Sequence, residues 1–330
     1  MEDGARAARA PLIQSFNKNP YSIILKMIKK ISIIMTVFTL GLIFQIYQQW
    51  PSENLEVIFC DVGQGDAILI SYGSWQMLVD AGYNDQVLDC LRHNVPFWDK
   101  TLELVLATHT DHDHIGGFSS VFENYHVQTI LLADVGESES YKNMLNAMKN
   151  TLMDGAVVKN TFLGQKISFT SRGELLVLSP DEGNLPIENC SAKQFAETIL
   201  SDAIPIELVE EQSANERSII LLLRYFEFEL LLMGDAHHSN ELALIDKGLI
   251  KKVEGIKIGH HGSKSSTHHD FIKETQPEFA VISCGLNNKF GHPSSEVLQL
   301  LNENQVQHFR TDERGDLKLI TNGSNYWIKN

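Results

Sequence analysis

The feature that most constrains the fold is a cluster of imidazole and carboxylate side chains directly after a short apolar segment. Leu104–Ala107 is apolar, and five of the seven residues from Thr108 to His114 are histidine or aspartate. A divalent metal needs ligands that converge on one point, and a loop leaving a buried strand holds them in fixed register. Gly116 and Gly117 then let the chain turn into a helix. Taken alone, the loop is also compatible with a solvated acidic turn.

Three further apolar segments end in the same kind of residue. Asp80, Asp235 and the pair His260-His261 each follow an apolar run that predicts a strand. Side chains that share one edge of packed sheets can hold two metal ions in a single cleft. Four such strand ends in one chain therefore indicate a metal site rather than a chance cluster.

The apolar runs after residue 54 are short, end at turn residues and alternate with helical patterns. This alternation predicts a layered α/β domain with two sheets. The weak periodicity of residues 181–214 predicts a variable loop or insertion. Strands are predicted at 55–60, 67–71, 75–79, 102–107, 127–132, 166–170, 174–178, 217–225, 227–233, 255–258, 279–283 and 317–320, and helices at about 84–93, 115–125, 236–247 and 271–275.

Four short motifs accompany the histidine-rich loop, and their order is typical of one family. They are Asp61–Ala67, Gly234-Asp235, Gly259–Ser263 and Phe290–Pro293. Together they resemble the C-terminal hydrolase domain of ComEC-type competence proteins, a branch of the metallo-beta-lactamase-fold hydrolases. The resemblance implies a four-layer αββα sandwich, in which two mixed sheets are flanked by helices, over residues 52–330.

The resemblance also implies a role for each matching side chain. It makes His109 and Asp111 ligands of a first metal, Asp113, His114 and His261 ligands of a second, and Asp235 the bridge between them. The implied catalytic residues are Asp113, His260 and His292, the residues that orient ligands are Asp66 and Asp80, and the contacts to a phosphate oxygen are Ser263 and Lys264.

Several of these residues also have a purely structural interpretation. Asp66 and Asp80 suit turns beside strands, and His260 and His292 suit buried imidazoles bonded to a backbone carbonyl. Lys264 suits a lysine in solvent. The sequence alone leaves these alternatives open.

The first metal site departs from the general family pattern, though in the manner of the ComEC branch. Asp111 stands where most members have histidine, and no third histidine ligand is evident between His114 and Asp235, because His126 precedes a predicted strand. Oxygen ligands favour harder cations, so we expect two divalent ions, zinc or manganese, with a weaker first site. Occupancy by a single ion is the alternative.

The N-terminal region predicts a membrane anchor. Residues 31–47 are apolar and lack charge, with Lys26, Lys29 and Lys30 before them. We therefore expect a disordered cytoplasmic tail at 1–20, an anchor segment at 21–50 and an extracytoplasmic domain from residue 52, with the basic flank inside. A cleaved signal peptide and a core helix are the alternatives.

Charge and cysteine content limit the partners. The formal net charge of −15 opposes non-specific binding of polyanions over the whole surface. A local basic groove from Lys251, Lys252, Lys257 and Lys264 is possible by position, and solvated lysines are the alternative.

The cysteines Cys60, Cys90, Cys190 and Cys284 form no Cys-x-x-Cys pair, and we expect mostly buried free thiols. No protein partner is indicated.

The resemblance and the ligand set together predict an extracytoplasmic phosphodiesterase or nuclease that uses a hydroxide activated by two metals. DNA is the substrate that the competence resemblance implies. One alternative is an esterase of small cell-surface phosphodiesters, similar to the phosphorylcholine esterases of this fold. Another is an accessory module that a metal stabilises and that has little turnover.

Overall fold

The computed structural model describes residues 20–132, 136, 138–180 and 213–329. The chain divides into two compact units, Met1–Trp50 and Pro51–Asn330. The predicted disordered tail, except for residue 20, lies outside the described residues. So does most of the loop predicted at 181–214.

The first unit contains one long helix, α1, over Pro20–Gln48. Its segment Tyr21–Tyr47 spans 27 residues with a mean hydropathy of 1.8, and it is the one described helix long and apolar enough to cross a membrane. Thr36 and Thr39 donate their hydroxyl hydrogens to the carbonyl oxygens of Ser32 and Met35. These bonds satisfy the hydroxyls within the helix, as an apolar environment requires.

The second unit is built from short strands and helices that alternate along the chain. The strands are β1 Leu55–Phe59, β2 Ile68–Tyr72, β3 Trp75–Val79, β4 Thr101–Leu106, β5 His126–Leu132, β6 Val157–Asn160, β7 Lys166–Thr170, β8 Gly173–Ser179, β9 Ile220–Tyr225, β10 Phe228–Leu232, β11 Gly255–Lys257, β12 Phe279–Ile282, β13 Gln307–Arg310, β14 Leu317–Thr321 and β15 Tyr326–Lys329. The helices are α2 Val87–Asn94, α3 His112–Ile115, α4 Phe118–Asn124, α5 Glu139–Met153, α6 His238–Asp246, α7 His269–Thr275, α8 Ser295–Glu303 and α9 Thr311–Arg314.

These strands form two mixed sheets. The order of the first is β15-β14-β1-β2-β3-β4-β5-β6, and the order of the second is β13-β12-β11-β10-β9-β8-β7. The strands β3 to β6 are parallel to one another, and so are β10 to β13. Parallel strands end at the same edge of a sheet, so residues that follow them along the chain collect at that edge.

Three apolar layers hold the four structural layers together. The layer between the sheets includes Phe59, Leu223, Leu230, Val281 and Leu319. The layer on the outer face of the first sheet includes Leu78, Leu91, Phe118, Ile130 and Met148, and the layer on the outer face of the second includes Leu244, Ile256, Phe271, Ala280 and Leu301. The predicted αββα sandwich is therefore confirmed.

The expectation of free thiols was wrong for two cysteines. Cys60 and Cys90 form a disulfide with a Cα–Cα distance of 5.7 Å, which joins the end of β1 to helix α2. The two residues lie 30 positions apart, and a pair so widely separated leaves no local sequence pattern. Cys284 is a buried free thiol, as expected.

A buried carboxylate in α6 gives the domain a defined pH dependence. Glu241 accepts hydrogen bonds from the backbone amides of Thr267 and His268, at 2.7 and 2.6 Å, in the turn that follows the His260-His261 segment. Burial raises the pKa of the Glu241 carboxyl to about 7, against the opposing effect of these two bonds. The folded protein thus holds a proton that the unfolded chain releases above about pH 4.

We predict that this carboxyl lowers the stability of the fold as the pH rises from about 4 to about 7, with a constant cost above that range. Between about pH 4 and about pH 7, the free energy of unfolding should fall by about 3 kcal/mol more in the wild type than in Glu241→Gln. Urea denaturation at each pH measures this difference. Glu123→Gln, at an exposed position, is the control for loss of a carboxylate. An equal difference between wild type and Glu241→Gln at both pH values would contradict the prediction.

Candidate metal centre

The carboxylate of Asp235, directly after β10, lies at the centre of a buried group of imidazoles. Its Oδ1 atom is 3.2 Å from Nε2 of His114 and 3.5 Å from Nε2 of His261. Its Oδ2 atom is 3.9 Å from Nε2 of both His109 and His260. One carboxylate therefore faces two different sets of nitrogen atoms with its two oxygens.

A second carboxylate accompanies each set. On the Oδ1 side, Asp113 Oδ2 lies 3.4 Å from Nε2 of His261. On the Oδ2 side, Asp111 Oδ2 lies 3.7 Å from Nε2 of His109, and its side chain is 47% exposed. The structure thus brings the six predicted ligands together around Asp235.

Several atoms of this group lack a partner within the protein. The Nε2 atoms of His109, His114 and His261 and the Oδ1 atom of Asp235 are buried, and the contacts of these imidazoles with Asp235, at 3.9, 3.2 and 3.5 Å, do not have hydrogen-bond geometry. Buried polar atoms almost always have a partner, so four orphaned ligand atoms in one place fit a bound cation. Among the described residues, two of the groups whose ligand atoms lie within 4.8 Å of one another are His109, His114 and Asp235, and Asp113, His114 and His261.

The other ring nitrogen of each ligand histidine is fixed from outside the centre. Nδ1 of His114 lies 2.7 Å from Asp80 Oδ2, and Nδ1 of His261 lies 2.9 Å from the carbonyl oxygen of Ser283. Nδ1 of His109 lies 3.0 Å from Thr108 Oγ1, which itself donates to Asp80. Because these Nδ1 atoms are engaged outside the centre, the Nε2 atoms stay available inside it.

The backbone is strained at three of these positions. Asp80, His260 and His261 have φ values of 58°, 45° and 52°, in the left-handed region that residues with a side chain seldom adopt. The amide of Asp80 donates to Leu106 in the neighbouring strand β4, which holds the carboxylate beside the His109 loop. Such strain is concentrated at functional sites, where surrounding contacts impose it.

Close backbone packing explains the glycine before Asp66. Gly65 has a φ of 132°, and a Cβ atom there would lie 2.1 Å from the carbonyl oxygen of Asp113. The amide of Asp66 donates to that same oxygen at 3.2 Å. Only glycine lets the β1–β2 loop approach the histidine-rich loop this closely.

Charge within the group favours cation binding. Burial would raise the pKa of Asp235, but the His261 and His114 imidazoles hold it well below its ordinary value. Burial would likewise raise the pKa of Asp113, and its bond to His261 and the His114 charge lower it instead. Burial lowers the pKa of His109 well below its usual value, so this ring is a neutral lone-pair donor.

The pKa of His114 is shifted in the opposite direction to that of His109. Although burial opposes it, the carboxylates of Asp235 and Asp80 on its two sides raise its pKa well above the usual value. A cation that binds Nε2 must therefore displace a proton held between two carboxylates.

Below these ligands lies a buried ion pair that the sequence analysis missed. Lys257 is fully buried and donates to the carboxylate of Asp66 and, at 3.1 Å, to the carbonyl oxygen of Gly234. Asp66 Oδ1 is also 3.6 Å from Nδ1 of His261. Lys257 thus supports the floor of the centre, and its predicted place in a basic surface groove was wrong.

The two predicted phosphate contacts lie apart from the ligand atoms. The Lys264 ammonium is 2.7 Å from the Glu296 carboxylate, and its side chain is 73% exposed. The Ser263 hydroxyl lies 3.2 Å from that of Ser265. The structure brings neither group into contact with the six predicted ligands, so their role stays a prediction.

The rings of His260 and His292 lie next to each other and beside the ring of His261. His260 Nδ1 is 3.1 Å from His237 Nε2, and its Nε2 is 3.2 Å from the Asn215 amide nitrogen. The His292 ring centroid lies 5.6 Å from that of His260, and His292 Nδ1 is buried without a partner. Burial lowers the pKa of His260 to about 4, so that ring is neutral at physiological pH.

Sequence reasoning missed the hydroxyl and amide groups that position the ligands. Ser218 accepts from the amide of Asp235 at 3.1 Å and lies 3.3 Å from Nδ1 of His109. Asn215 and His237 contact His260, as described above. Serine and asparagine near a strand end carry no metal signature, and only the Asp235-Ala236-His237 spacing hinted at a further imidazole. His112 contacts Ser140 and Tyr83 instead of the centre.

We predict that Asp80→Asn weakens metal binding about 10- to 100-fold, because an amide has one acceptor oxygen where the carboxylate uses both of its oxygens to accept from Thr108 and His114. Isothermal titration of the apo protein with Zn²⁺ and Mn²⁺ measures the effect. Asp85→Asn, an exposed aspartate a few residues further along, is the control. Equal affinity in Asp80→Asn and the control would contradict the assigned role of Asp80.

The sequence of this chain is similar to those of competence proteins. No protein-family model matches the sequence. ComE operon protein 3 of Bacillus subtilis is 27% identical over 293 residues, covering 83% of this chain and 34% of that protein. Competence protein ComA of Neisseria gonorrhoeae is 32% identical over 280 residues, covering 81% of this chain and 32% of that protein.

Among solved structures, the metallo-beta-lactamase fold protein YhfI from Bacillus subtilis superposes with a TM-score of 0.48 and 10% identity, covering 83% of this chain and all of that one. The chain spans about a third of the length of the curated relatives it matches. Its motifs predicted a relationship to competence proteins, and the sequence similarity confirms that the chain is a homologue of a part of them.

Proposed function

We propose that this chain is a metal-dependent phosphodiesterase that uses two divalent cations. The observation that carries the proposal is the Asp235 carboxylate: its Oδ1 atom faces the buried, unpartnered Nε2 atoms of His114 and His261, and its Oδ2 atom faces that of His109. In the proposed assignment, His109, Asp111 and Asp235 hold the first ion. Asp113, His114 and His261 hold the second ion together with Asp235.

Two cations held there would lower the pKa of a shared water and neutralise charge on the attacking and leaving oxygens of an in-line displacement. The protein supplies the rest. Asp113, ionised because of its imidazole neighbours, orients the water, and His114 is held in position by Asp80. Zinc and manganese are the proposed ions, and the exposed oxygen ligand of Asp111 favours the harder one at the first site.

His260 and His292 are the groups proposed to contact the substrate. His260 is neutral and is held by His237 and Asn215 close to the Oδ2 side of Asp235. His292 is half-buried, and its Nδ1 atom has no partner within the protein. An unpartnered nitrogen beside the ligand His261 suits a hydrogen bond to a phosphate oxygen or to the leaving oxygen.

The competence names of the relatives favour DNA as the phosphodiester. The net charge of −15 favours a smaller substrate, such as a cell-surface diester, over a long polyanion. An accessory role with little turnover is the weaker candidate. A module that only needed a stable fold would not require several ligand atoms without a partner in one place.

We further propose that the domain from residue 52 onward lies outside the cytoplasm and that α1 anchors it. Lys26, Lys29 and Lys30 precede the uncharged part of α1, and the positive-inside rule then places the N-terminus in the cytoplasm. The Cys60–Cys90 disulfide supports the same orientation, since such bonds persist mainly in oxidising compartments.

We predict that His109→Ala and Asp235→Ala each lower the hydrolysis of bis(p-nitrophenyl) phosphate at least about 100-fold, because each variant removes a metal ligand. The full chain in detergent is assayed with Zn²⁺ or Mn²⁺. His112→Ala is the matched control, since that histidine shares the loop but contacts Ser140 and Tyr83. Activity of the two variants equal to that of His112→Ala would exclude the proposed mechanism.

The orientation is tested with a chain that carries a different epitope tag at each end, expressed in a bacterial host. Protease added to intact spheroplasts should remove the C-terminal tag and leave the N-terminal tag, because only the domain after α1 is exposed outside. Lysis should make both tags sensitive. Protection of the C-terminal tag in intact spheroplasts would contradict the proposed orientation.

A further inference from the structure

The loop between β12 and α8 presents apolar side chains to solvent beside the metal centre. Leu286 is 73% exposed and Phe290 is 56% exposed, four residues apart. His292 lies at the end of the same loop. Exposed large apolar side chains that serve no core are informative when they lie at the rim of a functional cleft.

The ring of Phe290 continues a series of nearly parallel rings that begins at a proposed metal ligand. The His261 and His292 rings are inclined by 26° with centroids 6.4 Å apart. The His292 and Phe290 rings are inclined by 23° with centroids 5.7 Å apart. The series therefore runs from the buried His261 through the half-buried His292 to an aromatic ring in solvent.

Hydrogen bonds within the loop fix the backbone on either side of Phe290. The Asn288 amide nitrogen donates to the carbonyl oxygens of Gly285 and His292 at 2.9 and 2.6 Å, and its oxygen accepts from the amide of His292 at 3.0 Å. The amide of Gly285 donates to the side chain of Gln64 in the β1–β2 loop at 3.3 Å. The loop that carries the exposed ring is thus held by its own hydrogen bonds. It does not need the Phe290 side chain for its packing.

A cation accompanies the ring. The Lys289 ammonium lies 5.0 Å from the centroid of the Phe290 ring, and both side chains are exposed. A cation–π contact at an exposed position is weak, so a planar group can replace the ammonium, which is then free to pair with a phosphate. An aromatic ring with an adjacent lysine is the pairing used to bind single-stranded nucleic acid.

We propose that Phe290 stacks an unpaired nucleobase of a strand whose phosphodiester lies at the metal centre, with His292 between the two. This inference rests on the proposed phosphodiesterase function and names its substrate class as single-stranded nucleic acid. Lys289 supplies positive charge next to the ring, in a chain whose net charge is −15. Phe290 is a specificity residue in this account and takes no part in the chemical step.

The test uses two strands of equal length, a single-stranded DNA oligonucleotide and one built from abasic tetrahydrofuran residues. Cleavage by the full chain is measured for each strand, so that KM and kcat are obtained separately. Phe290→Ala removes the ring and Phe290→Trp keeps an aromatic surface. Phe97→Ala is the control, since Phe97 is 48% exposed but lies before the first residue of β4, at the end opposite the His109 loop.

The wild type should show a KM for the abasic strand about tenfold above that for the DNA strand. Phe290→Ala should lose most of this difference through a higher KM for DNA, while Phe290→Trp and Phe97→Ala keep it. Cleavage of both strands by the wild type with equal KM, or an undiminished preference in Phe290→Ala, would overturn the stacking role and leave the phosphodiesterase intact. If the wild type cleaves neither strand and does not cleave bis(p-nitrophenyl) phosphate, both the stacking role and the phosphodiesterase function would be overturned.

Discussion

The carboxylate of Asp235 is the group on which the site depends. It is buried, and the free energy cost of burying an ionised carboxylate is met by the imidazoles of His114 and His261 on one side and His109 on the other. Those imidazoles in turn leave Nε2 atoms without a partner, because their Nδ1 atoms are already engaged. The inward-facing nitrogen of each ring is thus left for a further partner, and a cation fits that position.

The fold makes this arrangement by bringing together the carboxyl ends of parallel strands from two sheets. Asp80 and the His109 loop follow β3 and β4 in the first sheet, and Asp235 and His261 follow β10 and β11 in the second. Left-handed backbone at Asp80 and His261 directs their side chains inward. The strain is tolerated because the strands on either side are buried and hydrogen-bonded.

Much of this could be predicted from the sequence, because strand ends and metal ligands both leave local patterns. The apolar runs of β4 and β10 nearly coincide with the strands predicted at 102–107 and 227–233, and the candidate ligands follow each of them along the chain. The edge strands β13 and β15 were not predicted, since their residues alternate between partial exposure and burial without a continuous apolar run. Helix α3 begins inside the ligand loop, earlier than the predicted helix at 115, because Asp111 adopts an extended conformation before it. The Cys60–Cys90 disulfide and the Lys257–Asp66 pair join residues far apart in sequence, which no local pattern reveals.

The central claim is that one carboxylate bridges two metal ions. Anomalous X-ray diffraction from crystals of the full chain grown with Mn²⁺ measures this directly. The account predicts two anomalous peaks, one beside each oxygen of Asp235, with His109 next to one ion and His261 next to the other. A single peak, or peaks that do not contact Asp235, would contradict it.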